Sequence, residues 1–136
     1  MYSVIQTAAV SGIDSIPIRV EADVSDGLPQ FNMVGYLSSE VKEARERVTT
    51  ALRNSGFPLP AKHITVNLYP ADLKKSGTGF DLPVALAILS ALGLIPEEAT
   101  RHMLVVGEVN LEGNVQPVPG ILPMAAEAGG QGIRVF

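Results

Sequence analysis

From Ser15 to Val24 the chain alternates residue by residue. Ile16, Ile18, Val20, Ala22 and Val24 take one side; Pro17, Arg19, Glu21 and Asp23 take the other. That period predicts a strand with one buried face. The β-rich run Val4 to Val10 precedes it, and Gly12-Ile13-Asp14 supplies a turn, so the two segments are expected to form a hairpin. Asp26-Gly27 marks the next turn, and a short third strand is expected over Gln30 to Gly35. The period then changes. Between Ser39 and Ser55 the apolar residues Val41, Ala44, Val48, Ala51 and Leu52 fall on one stripe, which predicts an amphipathic helix. Ser39 is its expected N-cap, Glu40 lies in its first turn, Glu43 and Arg47 form an i,i+4 pair, and Gly56 ends it. Lys62 to Tyr69 alternates again, with Ile64, Val66 and Leu68 inward, until Pro70 stops it.

Asp81 is expected to cap a second helix, with Pro83 tolerated in the first turn and Gly93 at the end. Val84 to Leu92 is apolar almost all round, which predicts a buried helix. Met103 to Val109 and Gly113 to Val118 read as strands joined through Leu111-Glu112-Gly113. A short third helix, Ile121 to Ala128, and a last strand from Ile133 to Phe136 follow. Strands interleaved with helices predict an α/β (α+β) domain with a mixed or largely antiparallel sheet. No internal repeat or low-complexity segment interrupts it.

A length of 136 residues suits one domain with a real core, and the absence of Trp makes that core aliphatic. No cysteine is present, which excludes a disulfide scaffold, a thiolate metal site and a thiol nucleophile. Two histidines, His63 and His102, are too few for a histidine metal site. The first residues lack the basic and apolar regions of a signal peptide, and the apolar run Leu82 to Leu94 is too short to span a bilayer. A soluble, cytoplasmic domain with no membrane partner is therefore expected. The net charge of -4 carries no global nucleic-acid signature. Any contact to DNA or to a neighbouring subunit would use a local patch: Lys42, Arg45 and Arg53 on the first helix, Lys74 and Lys75 in the loop before the second. The plain alternative is a solvated face.

The stretch Lys74-Lys75-Ser76-Gly77-Thr78-Gly79-Phe80-Asp81 bears most on chemistry. Glycines beside a basic pair, just before a helix N-terminus, suit a phosphate cradle; a tight turn with solvated lysines is the simpler reading. It is not a Walker A loop, because the required first glycine is missing. Glu108 and Glu112 lie in or beside a strand–turn–strand with no third group to mark a reaction. His63 and His102 lack a Ser or Asp partner at a readable spacing.

Several segments, in order, resemble the N-terminal domain of the Mg-chelatase-like ComM/YifB family. They are Gly27 to Gly35 (GLPQFNMVG), Ser39 to Val48 (SEVKEARERV), Lys75 to Ala85 (KSGTGFDLPVA), Gly107 to Gly113 (GEVNLEG) and Pro117 to Gly120 (PVPG). The resemblance covers essentially the whole chain. It implies a ribosomal protein S5 domain 2-like fold similar to the Lon proteolytic domain. It also implies that residues 1–136 are an N-terminal accessory piece, with an AAA+ ATPase module expected C-terminal to it. It implies ATP and Mg for the full-length protein and no cofactor in this piece. The implied partners are its own ATPase module, sister copies in a homo-hexamer, and branched or single-stranded DNA handled during natural transformation. In Lon-type peptidases a Ser–Lys dyad is catalytic; here Thr78 stands at the implied nucleophile position and Met124 at the implied lysine position. Methionine accepts no proton, so the resemblance implies a non-catalytic module. The alternatives are a degenerate peptidase using Thr78 and a role like that of a Mg-chelatase subunit.

Overall fold

The computed structural model describes residues 1–11, 14–118 and 134–135. The expected third helix, with Met124, lies outside the described residues, as does the turn at 12–13. The elements are β1 (Tyr2–Ser11), β2 (Asp14–Ser25), β3 (Gln30–Val34), α1 (Ser39–Lys42), α2 (Ala44–Asn54), β4 (His63–Tyr69), α3 (Asp81–Ala91), α4 (Glu97–Thr100), β5 (Met103–Leu104), β6 (Glu108–Val109), β7 (Val115–Gln116) and β8 (Arg134–Val135). The main sheet has six strands in the order β3-β4-β2-β1-β5-β8, and β6 with β7 forms a separate hairpin. The mixed sheet expected from the alternation is observed. β1, β2 and β4 pair antiparallel, whereas β3 joins β4, and β5 joins β1, in parallel.

The buried face of the sheet carries Ile5, Ile18, Val20, Ile64, Val66 and Leu68, all within 1% of full burial. Helices α2 and α3 cover it with Val48, Val84, Ala87 and Ile88. The Ser3 hydroxyl donates to the Ala87 carbonyl and ties β1 to the middle of α3. Every residue of the expected first stripe is buried. The helix itself is divided at Glu43 into α1 and α2, and Ser38 rather than Ser39 caps it, its Oγ accepting from Val41 N at 3.3 Å.

Two expectations are corrected, and one element is added. The strand over Met103 to Val109 is interrupted over residues 105–107, where the Gly107 backbone turns aside to bond Gly79 and Leu82, leaving short β5 and β6. A single helical turn, α4, occupies a stretch with no apolar period to announce it. Helix α3 is not buried all round: Leu82, Leu86 and Leu89 are only partly covered.

Gly113 fixes the hairpin against α2. Its φ is +95°, and a Cβ there would stand 2.1 Å from Ser55 Oγ and 3.2 Å from Ala51 O. Gly113→Ala is expected to lose about 1–3 kcal/mol, from left-handed backbone plus the displaced Ser55, measured as a lower urea midpoint.

Candidate functional site

The loop from Pro70 to Phe80 and the start of α3 form the candidate site. The loop is pinned first by its backbone. Lys75 N–H donates to Tyr36 O, and Ser38 N–H donates to Lys75 O, each at 2.9 Å. This short parallel bridge sets Lys75 beside the entry to α1. Its side chain then turns inward: Lys75 is fully buried and its ammonium donates to the Pro70 carbonyl. Burial lowers its pKa, with the Asp72 charge opposing. Lys75 is thus a strut closing the loop on itself, not a surface cation, which corrects its place among the candidate DNA contacts. A lysine stem is apolar enough to be packed when its one polar end finds an acceptor.

Gly77, at φ +83°, turns the chain, and Gly79 packs where a Cβ would press Val106 Cγ2 at 3.2 Å. Gly79 O accepts from Gly107 N at 3.0 Å, and Leu82 N donates to Gly107 O at 2.9 Å. Asp81 N donates to Thr78 O at 3.2 Å. The N–H groups of residues 81 and 82, which an anion at this helix start would need, are therefore already engaged.

Asp81 is not the N-cap, because Phe80 occupies that position and makes no side-chain cap bond. It is instead a fully buried carboxylate in the first turn. Arg47 grips it with two bonds, Nε to Oδ2 at 2.7 Å and Nη2 to Oδ1 at 2.9 Å. Val109 N donates to Oδ2 at 3.2 Å, and Arg47 Nη2 also reaches Glu40 O at 2.9 Å. One carboxylate thus joins α1, α2, α3 and β6. Burial pushes the Asp81 pKa up, and the bonds from Arg47 and Val109 work against it; the Asp81 hydrogen bond holds the Arg47 pKa up. The Glu43–Arg47 contact expected from spacing exists, but at 4.0 Å it is the weaker partner. The positive end of α3 is answered by the chain's own carboxylate.

The remaining candidate cations are exposed. Lys42 and Arg53 lie on α1 and α2. Arg45 pairs with Glu46 at 3.4 Å and donates to Phe31 O at 3.4 Å. Lys74 stacks over the Tyr36 ring at 5.8 Å. The exposed Glu40, Glu43 and Glu46 are interspersed with them on the same helices. Thr78 is half-buried at the mouth of the loop, and Lys75, the adjacent base by sequence, spends its ammonium on Pro70. Among the described residues no cluster of three or more His, Cys, Asp or Glu side chains could hold a metal ion. No helix among them is long and apolar enough to cross a membrane.

A mixed α/β domain whose Gly-rich loop leads into a largely buried helix is the class these features define. Residues 20–136 match the family model described as subunit ChlI of Mg-chelatase. The chain is 44% identical to the YifB protein of Escherichia coli over 134 residues, covering 98% of this chain and 26% of that protein. It is 40% identical to the competence protein ComM of Haemophilus influenzae over 121 residues, 89% of this chain and 24% of that protein. It is 27% identical to the Lon protease of Roseiflexus castenholzii over 122 residues, 85% of this chain and 15% of that protein. The chain belongs to the Mg-chelatase ChlI-subunit family and fits the N-terminal domain of the ComM/YifB type. It spans about a quarter of the length of the ComM and YifB proteins it matches.

Proposed function

We propose that the chain is a non-catalytic assembly and DNA-guiding module of an AAA+ ATPase of the ComM/YifB type, with the S5 domain 2-like fold. ATP and Mg would bind the ATPase module, which lies outside these residues. A homo-hexameric ring would bring several copies of this domain round one DNA. The observation that carries the reading is the commitment of the Gly-rich loop to internal bonds. Lys75 is sealed against Pro70, and the helix start is filled by Asp81, so the loop serves as scaffold rather than as a phosphate or acyl site. The name of the Haemophilus relative, a competence protein, supports a role in handling DNA during transformation. The likeness to Lon supports the second reading, a peptidase using Thr78. No base among the described side chains bonds the Thr78 hydroxyl to activate it.

In such an assembly the exposed cations Lys42, Arg45, Arg53 and Lys74 are the available phosphate contacts. Lys74→Glu in the longer protein is expected to weaken binding to branched DNA. It should also flatten the salt dependence by about 0.9 per lost duplex contact. Melting of the domain should hardly move, because Lys74 is exposed and gives up only its stacking on Tyr36. Unchanged binding at every salt concentration would remove Lys74 from the interface. Peptide-ester hydrolysis by the purified chain, abolished by Thr78→Ala, would replace this reading with the peptidase.

A further inference from the structure

Strand β3 forms one edge of the main sheet, and β4 is its only strand neighbour among the described residues. Gln30 N–H donates to Lys62 O across the parallel pair. Gln30, Asn32 and Val34 therefore aim their backbone groups at β4, whereas Phe31 and Met33 aim theirs outward. The Arg45 guanidinium reaches the outward Phe31 carbonyl, at a long 3.4 Å. Natural sheets blunt such edges with charge, proline or a bulge. Gln30-Phe31-Asn32-Met33-Val34 carries no charge and no proline. Leu28 and Tyr36 flank it, 78% and 52% exposed.

We propose that this edge pairs with the same edge of a second copy of the chain, antiparallel, about a two-fold axis through Asn32. In that register Phe31 of each copy faces Met33 of the other, and each pair exchanges both its N–H and its C=O. A register centred one residue earlier on the outward set would need the N–H of Pro29, which has none. One centred later would need Gly35, which leaves the strand at φ +130°. The chosen register gives partners to the outward N–H groups of Phe31 and Met33 and to the Met33 carbonyl, and on the Phe31 carbonyl the partner copy's N–H takes the lone pair that the long Arg45 bond leaves. It also sets Asn32 against Asn32 as a close pair, Gln30 against Val34, and, past the strand ends, exposed Leu28 towards exposed Tyr36. A two-fold interface meets its own charges symmetrically, so an uncharged strand is the kind that tolerates it. The strand contact is short, which makes the dimer weak and concentration-dependent. It is closed by its two-fold axis.

The chain has no cysteine, which makes the register directly testable by cross-linking. Asn32 is exposed, and across a close antiparallel pair the Cα separation of about 4.5 Å suits a disulfide. Asn32→Cys is expected to form a disulfide dimer under mild oxidation. Gln30→Cys and Val34→Cys should cross-link when mixed, several-fold faster than either alone. Asn32→Lys sets two ammonium groups against each other on the axis. It should weaken dimerisation in sedimentation equilibrium about tenfold or more while the melting temperature stays near wild type. The proposal is overturned if Asn32→Cys remains monomeric under oxidation, or if Gln30→Cys alone cross-links as fast as the mixture. A dimer constant unaffected by Asn32→Lys overturns it equally.

Discussion

Arg47→Leu is expected to destabilise the chain by about 3–5 kcal/mol at neutral pH, the cost of stripping one partner from a buried ion pair. The leucine covers much the same apolar surface, so the loss comes from Asp81, left buried with only the Val109 N–H to face it. The pH dependence distinguishes this from a packing defect. Burial already raises the folded-state pKa of Asp81 above 3.8, and removing the opposing guanidinium raises it further. A carboxyl whose folded pKa lies above its unfolded value binds its proton more tightly when folded. Stability therefore falls as pH rises through that window and returns as pH drops back towards 3.8. The stability gap between wild type and Arg47→Leu should narrow as pH is lowered from 7 towards 3.8 in urea unfolding. Adding Asp81→Leu to Arg47→Leu should recover part of the loss, since no charge then remains buried. A gap that is flat with pH would mean that Asp81 is not the group left stranded.

This pair also marks what could be read in the sequence. The strands β1, β2 and β4 were legible because a half-buried strand must alternate. The stripe on α1 and α2 was legible because one helix face must be dry. Both are local constraints, expressed within a few residues. In sequence Asp81 reads as a cap, because an acid at a helix start usually is one. Its real partner lies 34 residues away, and no spacing rule links positions so far apart in sequence. Lys75 reads as solvated for a similar reason: charge predicts exposure, and only the fold reveals a carbonyl placed to receive the ammonium. Gly107 reads as part of a strand because its flanking valines and glutamate suit one. The break there serves the Gly79 and Leu82 backbones, which approach from another part of the chain. In the candidate site, then, the motif was visible but the assignment of its members was not. Two residues expected to meet solvent or cap a helix turn out to hold the loop and the helix start from within.

Ile88→Asp should abolish folding, while Leu86→Asp should only weaken it. Both residues belong to α3, and the apolar run that contains them treats them alike. The structure separates them. Ile88 is fully buried against the sheet, one residue from the Ala87 carbonyl that holds Ser3, whereas Leu86 lies on the partly covered side. A carboxylate at 88 would be surrounded by the aliphatic core with no cation described beside it. The cost of an unpaired buried charge, typically beyond about 4–5 kcal/mol, approaches the whole stability of a small domain, about 5–15 kcal/mol. At 86 the side chain can turn its charge towards water, so a loss of about 1–3 kcal/mol is expected, mostly from forfeited apolar contact. Far-ultraviolet circular dichroism and thermal melting of the two variants decide the matter. Ile88→Asp should show no cooperative transition at 25 °C, and Leu86→Asp should melt cooperatively at a lower temperature. If both variants failed to fold, Leu86 would also have to face the closed core. If Ile88→Asp melted like wild type, α3 would not be the helix on which the sheet is packed.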